Sequence, residues 1–420
     1  MDPSSNFQSQ IPKLKPLIFV SHSIYFYFIN NMKKMIKLAK GENRRISFGH
    51  LWVFSNEIKD IQGAPEIGDV VELRSHSGEF LGKGFYNPKS LIAFRLLTTE
   101  DVDIDFHFYK HRIESALNLR KRIFPASETF RLIYGESDSL PGLIIDKYND
   151  YFVLQTFSYG MDQRLTLICD VLDSLFHPTG IVQRDESGLR ELEGLPEKKA
   201  AIRGEVNKTT IEENDIKYQV DLLEGQKTGF LLDQRENRFA IRRYVKETKV
   251  LDCFCNDGGF ALNASYAGAL EVSGIDISES AVKRANENAK LNQLSNCNFI
   301  KADVFEFLKT AIGQDKRYDV IILDPPSFTK SRKNITTAKL GYKEINTNAI
   351  RLLVKGGILA TSSCSHHIDD ATFLEVINKS AKEAGRNIRL LEWRSASPDH
   401  PVLPAMPETK YLKFGIFDIV

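Results

Sequence analysis

The chain has no cysteine framework, no apolar run long enough for a membrane, and no surplus of either charge. Its five cysteines, at 169, 253, 255, 297 and 364, are odd in number and show no paired spacing. A disulfide-stapled secreted module is therefore excluded, and a reducing, cytoplasmic compartment is expected. Cys253 and Cys255 flank a single residue with no further ligands nearby, so no metal site is expected. The run Leu17 to Ile29 is interrupted by Ser21, His22 and Ser23 and falls short of the roughly 20 residues that cross a bilayer. Lys13 and Lys15 precede it, but no small-residue cleavage site follows. Fifty-six basic against 55 acidic residues rule out a wholly basic nucleic-acid coat. With 42% of 420 residues hydrophobic, the chain has material for two or three globular domains.

The most informative stretch is Val250 to Ala261. The β-rich run Thr248 to Cys253 breaks into a loop with paired glycines, Gly258 and Gly259, and then into a helical pattern. That is the strand-loop-helix opening of a doubly wound α/β domain. The spacing is not Gly-x-Gly-x-x-Gly, which makes room for a pyrophosphate, so a nucleoside ligand without phosphates is expected. A second strand, Glu271 to Asp276, ends in an acid where such folds hold ribose hydroxyls, and Asp303 follows a third strand, Cys297 to Lys301. The alternative role for either carboxylate is to cap the next helix. Asp324-Pro325-Pro326-Ser327-Phe328 follows the apolar run Asp319 to Leu323. The strand order of such a sheet reverses between its first and fourth strands, so Asp324 is expected to face a ligand held at Gly258. The two prolines would form a rigid wall without amide donors beside a flat substrate.

These signals together resemble a class I S-adenosylmethionine-dependent methyltransferase, and the surrounding text resembles the RlmI-like family of ribosomal RNA cytosine-C5 methyltransferases. The matching pieces are Gly49 to Phe54, Gly225 to Arg238, Phe254 to Phe260, Asp324 to Phe328, Ser363-Cys364-Ser365, Asp399-His400-Pro401 and Pro407-Glu408-Thr409. The resemblance implies a Rossmann-like α/β methyltransferase domain with a seven-stranded sheet, whose last strand runs antiparallel, over residues 210–420. It implies a small PUA-like RNA-binding β-barrel over 35–105 and an α+β middle domain over 106–205. Residues 1–31 are read as an unstructured extension or the product of an early start. S-adenosylmethionine would be held by Thr228, Phe230, Asp252, Phe254, Asn256, Gly258, Gly259, Asp276, Ile277, Asp303, Val304, Asp324 and Pro325. The implied partner is large-subunit ribosomal RNA, with a homodimer left open and no membrane.

In the N-terminal part, Gly68 to Leu73, Gly82 to Tyr86 and Leu91 to Leu97 read as short strands. Lys33, Lys34, Lys37, Lys40, Arg44 and Arg45 cluster against the single acid Glu42. The cluster is either a solvated arm or a phosphate-binding entry with Trp52, Phe54 and Tyr86 among it for stacking on bases. Trp52 has a core reading as well. The middle part reads as a helix from Phe106 to Ile123, a hairpin from Leu132 to Phe157 turning near Asn149-Asp150, a helix from Gln163 to Phe176 and a strand from Gly180 to Arg184. Arg184 to Arg190 reads as a charged loop with no assigned chemistry.

Carbon 5 of a pyrimidine becomes nucleophilic only when a group adds at carbon 6, and a thiolate suits that addition. Cys364 follows the expected fifth strand and shares its sheet edge with Asp324, which would hydrogen-bond the base as charge develops. Substrate contacts are expected from Pro326, Phe328, Lys40, Arg44, Arg45, Arg235 and Arg238, the last two through RNA phosphate or the cofactor carboxylate. The alternatives are a methyltransferase acting on guanine or uracil, and an RNA-binding module without activity.

Overall fold

The computed structural model describes residues 33–225, 227–329 and 332–420; the extension 1–31, with its run Leu17 to Ile29, lies outside them. The N-terminal sheet has six strands: β1 (Met35–Leu38), β2 (Trp52–Val53), β3 (Ile58–Gln62), β4 (Val70–Arg74), β5 (Phe80–Tyr86) and β6 (Phe94–Thr98). Their order is β2-β6-β5-β4-β1-β3, antiparallel except for β1 beside β4. Ile36, Leu38, Val71, Leu73, Phe94 and Leu96 form its own small core. Tyr86 belongs to that core, so it offers no ring to a base. Trp52 is half-buried: its indole N–H donates to Glu136 at 2.9 Å, and the Arg95 guanidinium lies over its ring. Its ring is spent on the contact with the middle domain.

The middle domain opens with the helix Phe106–Ile123, whose first turn is capped by Asp105 accepting from the Phe108 amide at 3.0 Å. Five strands follow: β7 (Thr129–Tyr134), β8 (Leu143–Tyr148), β9 (Tyr151–Thr156), β10 (Gly180–Asp185) and β11 (Lys198–Gly204), in the order β11-β10-β9-β8-β7. The β8–β9 turn falls at Asn149, which adopts φ 55°, a left-handed conformation that asparagine tolerates. The hairpin reading of Leu132 to Phe157 is too simple, because β7 is a third antiparallel strand beside β8. β11 reads Lys-Lys-Ala-Ala-Ile-Arg-Gly and sits mostly exposed at the sheet edge, so no alternation marks it. The stretch 184–190 is also no plain loop. Arg190 is fully buried and pairs with Asp162 and Asp185, each at 2.9 Å. Glu193, just beyond, binds Asn87, Ser90 and Arg95 of the N-terminal domain. These charges rivet two domains together.

A hairpin, β12 (Thr209–Glu213) and β13 (Ile216–Val220), leads into the catalytic sheet. That sheet comprises β14 (Lys249–Cys253), β15 (Glu271–Asp276), β16 (Cys297–Lys301), β17 (Tyr318–Leu323), β18 (Leu353–Ser363), β19 (Ile388–Arg394) and β20 (Lys413–Ile419). Its order is β16-β15-β14-β17-β18-β20-β19; β14 to β18 are parallel, and β20 is antiparallel to both neighbours. The expected seven strands and reversed last strand are present. The reversal point lies between β14 and β17, which opens the crevice at their carboxyl ends. One apolar core runs from Tyr148 and Val153 of the middle sheet through Tyr218 and Phe230 to Val250 and Phe260. Middle and catalytic domains therefore share a hydrophobic interior.

Candidate cofactor and catalytic site

β14 is buried throughout apart from its first residue, as a central parallel strand must be, and its only acid is Asp252. One Asp252 oxygen accepts from the Ala261 amide at 2.9 Å and the other has no partner. Burial, with Asp324 and Asp276 adding repulsion, pushes its carboxyl far above the usual range. Asp252 thus holds the start of the helix Gly259–Tyr266 from beneath the loop, and the direct cofactor contact expected of it is corrected to a supporting one.

The loop from 254 to 258 is left-handed three times: Phe254 at φ 64°, Asn256 at φ 45° and Gly258 at φ 83°. Two non-glycine residues in that region store about 1–3 kcal/mol each, which the surrounding contacts must impose. Gly258 also leaves no room for a side chain, since a Cβ there would lie 3.1 Å from Phe299. The Asn256 amide donates to one oxygen of Asp276 at 3.0 Å, and the Ser278 amide donates to the other at 2.8 Å. Ile277, two-thirds exposed, stands beside that carboxylate. Each Asp276 oxygen retains a lone pair for a diol. Asp276→Ala should accordingly weaken calorimetric binding of S-adenosylmethionine by about 1–3 kcal/mol. Unchanged affinity would place the ribose elsewhere.

A cleft lies at this loop, bordered by Phe230, Arg238, Phe254, Asn256, Phe260 and Asp324. Phe230 reaches it because Tyr148 clamps its backbone: the Tyr148 hydroxyl is 3.2 Å from both the amide nitrogen and the carbonyl oxygen. Thr228 is buried with its hydroxyl 3.5 Å from the same Tyr148 oxygen, so it braces the loop. Asp303 caps the helix Val304–Gly313 through the Glu306 amide at 3.2 Å, and Val304 packs into the core with Leu308 and Ala311. Capping is the role the structure shows for Asp303, and Val304 faces away from the cleft.

Arg235 and Arg238 are both 3% exposed and share Glu213. Arg238 makes two bonds to it, at 2.7 and 2.8 Å, and lies over the Phe230 ring. Arg235 lies over the Phe124 ring. The RNA-phosphate reading of these two residues is therefore corrected: both are interior, and only Arg238 borders the cleft. Phe328 is likewise turned inward, its ring centroid 4.6 Å from that of Tyr342, so Pro326, exposed on the loop, is left as the expected wall. Lys40 and Arg44 are exposed and without ion pairs among the described residues, whereas Arg45 binds Glu57 at 2.8 Å. Lys33 and Lys34 pair with Glu72 and Asp69.

Asp324 closes the cleft from β17. It accepts from the Gln234 amide at 2.8 Å and from the Ser362 hydroxyl. Burial, reinforced by Asp233, raises its carboxyl to about 6. Cys364 lies past β18 with Sγ 3.9 Å from the carbonyl oxygen of Pro325, the residue after Asp324. Hydroxyls fix both loops: Ser365 contacts Ser327 and Tyr342 at 3.0 Å each, and Ser363 donates to Tyr342 at 3.0 Å. Burial pushes the Cys364 thiol up to about 11, with Lys227 and Lys413 opposing that shift and Asp324 and Asp233 adding to it. Gln234, Asp233 and Lys413 escaped the sequence reading. Lys413 had a signal, a lone lysine in Tyr-Leu-Lys-Phe-Gly-Ile-Phe, an otherwise apolar run.

Residues 36–99 match the model of the PUA-like domain, and residues 245–396 match that of a methyltransferase domain. Ribosomal RNA large subunit methyltransferase I of Vibrio cholerae is 40% identical over 390 residues, which cover 91% of this chain and 98% of that protein. The protein of that name from Escherichia coli O127:H6 is 37% identical over 389 residues, with the same shares. Among solved structures, a Streptococcus mutans protein assigned to the SAM-dependent methyltransferases has a TM-score of 0.78 at 21% identity. Another, a methyltransferase complexed with SAH, reaches 0.80 at 21% identity. Each covers 92% of this chain and 100% of its own, and at that identity they show the shared fold. The residues present fit S-adenosylmethionine: a carboxylate with free lone pairs at β15, an apolar neighbour in Ile277, and a tight glycine turn without a phosphate cradle. Sequence identity over nearly its whole length makes this chain a member of the ribosomal RNA large subunit methyltransferase I family, a class I S-adenosylmethionine-dependent enzyme.

Proposed function

We propose that the protein methylates carbon 5 of a cytosine in large-subunit ribosomal RNA through a covalent adduct on Cys364. The observation that carries this reading is the Cys364 thiol against the carbonyl of Pro325, the residue after Asp324, close enough for the Asp324 charge to act on it. S-adenosylmethionine, when bound, supplies an electrophilic methyl group on a sulfonium. The work of the chain is to hold an extruded base, to make carbon 5 nucleophilic and to keep water out. The Cys364 thiolate would add to carbon 6, breaking the 5,6 double bond and sending charge toward the ring nitrogen and carbonyl. Asp324, titrating near 6, retains a protonated fraction near neutrality that can donate to that nitrogen. After methyl transfer, a water takes the carbon 5 proton while the bond from carbon 6 to sulfur breaks, and expulsion of the thiolate restores the aromatic ring.

Bisulfite sequencing of ribosomal RNA from cells with and without the gene tests the reading. One cytosine should resist conversion only when the gene is present. If no position differs, the cytosine-C5 reading falls and a guanine or uracil target takes its place.

RNA affinity is expected to draw on Lys40 and Arg44, the two cations of the N-terminal cluster that are exposed and without ion pairs among the described residues. Arg44 lies 5.9 Å from the ring of Phe48, which is 72% exposed and can stack on an unpaired base. Replacing both cations with alanine should lower the slope of log affinity against log salt by about 2, one released counterion per phosphate. An unaltered slope would return both to a solvated role.

A further inference from the structure

Lys413 is 3% exposed, and none of its contacts among the described residues is an ion pair. Its ammonium donates instead to two backbone carbonyls, of Ser365 and Tyr411, each at 2.7 Å. An ammonium buried without a carboxylate partner is costly, and a packed apolar residue would serve the strand better unless the charge has a use. The topology supplies that use. Lys413 stands opposite Ser363 in the antiparallel pairing of β18 with β20, so its side chain reaches the carbonyl of the residue after Cys364.

We propose that Lys413 is a positioning residue for the Cys364 nucleophile, gripping its loop from β20 and offering the forming thiolate a buried positive charge. The inference rests on the reading of Cys364 as nucleophile. Charged and titratable groups face this thiol from several elements. Lys227 comes from the loop before Thr228, Asp233 from the turn 232–234, and Asp324 from the end of β17. The Tyr342 hydroxyl comes from the helix Ile335–Leu352 and Lys413 from β20, with His366 next to the thiol on its own loop. The two aspartates oppose ionisation, and the two lysines favour it. Of the two lysines, only Lys413 is buried and tied to the nucleophile's own loop. Burial is the largest influence on both groups, lowering the Lys413 ammonium and raising the thiol, and the charge of each opposes the shift of the other.

The test needs no RNA. Alkylation of Cys364 by iodoacetamide in the full-length enzyme is followed against pH, with each cysteine resolved by peptide mass spectrometry. Lys413→Gln keeps an amide donor for the Ser365 carbonyl but removes the charge, and its Cys364 midpoint should lie about one pH unit above wild type. Lys413→Arg keeps the charge, and its midpoint should stay at the wild-type value. Equal midpoints for wild type and Lys413→Gln overturn the proposal. So does a Lys413→Arg midpoint about one pH unit or more above wild type, because the charge would then be irrelevant, and this arm, read against wild type, stands even if the glutamine variant fails to fold. Methylation by Cys364→Ser separates the two readings: a serine variant that still methylates removes the nucleophile, whereas the alkylation midpoints report on the Lys413 charge alone.

Discussion

Replacing Cys364 with serine is expected to abolish methylation while leaving S-adenosylmethionine affinity intact. A serine hydroxyl is almost never ionised near neutrality and is a far poorer nucleophile than a thiolate, so the loss should exceed about 10³-fold. The fold should tolerate the change, because Cys364 is half-buried and its one polar contact among the described residues is the weak one to Pro325. RNA carrying 5-fluorocytosine should trap the wild-type enzyme as an adduct that survives denaturing electrophoresis, since fluorine at carbon 5 cannot depart as a proton does. The serine variant should form none. Near wild-type methylation by Cys364→Ser, or no adduct with the fluorinated RNA, would end the covalent mechanism and move attention to guanine.

The second large effect is expected at Glu213, the last residue of β12. It is 2% exposed and is the one carboxylate partner of both Arg235 and Arg238 among the described residues. Removing one member of a buried ion pair leaves charge uncompensated, so Glu213→Ala should cost about 3–5 kcal/mol of unfolding free energy. Arg235 already has one guanidinium nitrogen without a partner, which leaves the site no slack. Urea unfolding measures the loss. S-adenosylmethionine affinity should fall as well, because Arg238 stands at the cleft and its guanidinium is oriented by Glu213. A cost below about 1 kcal/mol would mean that water reaches both arginines and that the interior described around Glu213 is open.

The catalytic fold was legible because its signals are local. Parallel strands buried on both faces read as short apolar runs, and a glycine pair, an acid and a double proline mark the three ligand-facing ends. Asp276, Asp324 and Cys364 follow from that pattern, since a residue just past a strand of a doubly wound sheet can only lie on its carboxyl edge. What the pattern cannot report is which way a side chain turns once the chain has left the strand. Arg235 and Arg238 look like phosphate contacts in a sequence, and only the arrival of Glu213 from the β12–β13 hairpin makes them interior. Trp52, Tyr86 and Phe328 look like base platforms until Glu136, the β1–β6 core and Tyr342 claim their rings.

The sequence by itself determined the strand-loop-helix opening, the glycine turn and the places of Asp324 and Cys364 just past their apolar strands, because each depends on residues within a few positions of one another. The tertiary structure alone decided the charge around that thiol. Lys227 precedes the first strand of the sheet, Asp233 sits in a turn, and Lys413 lies on the last strand, and no local rule joins residues that far apart. They meet because the last strand inserts antiparallel beside β18, a long-range pairing whose partner is chosen by packing of the whole sheet.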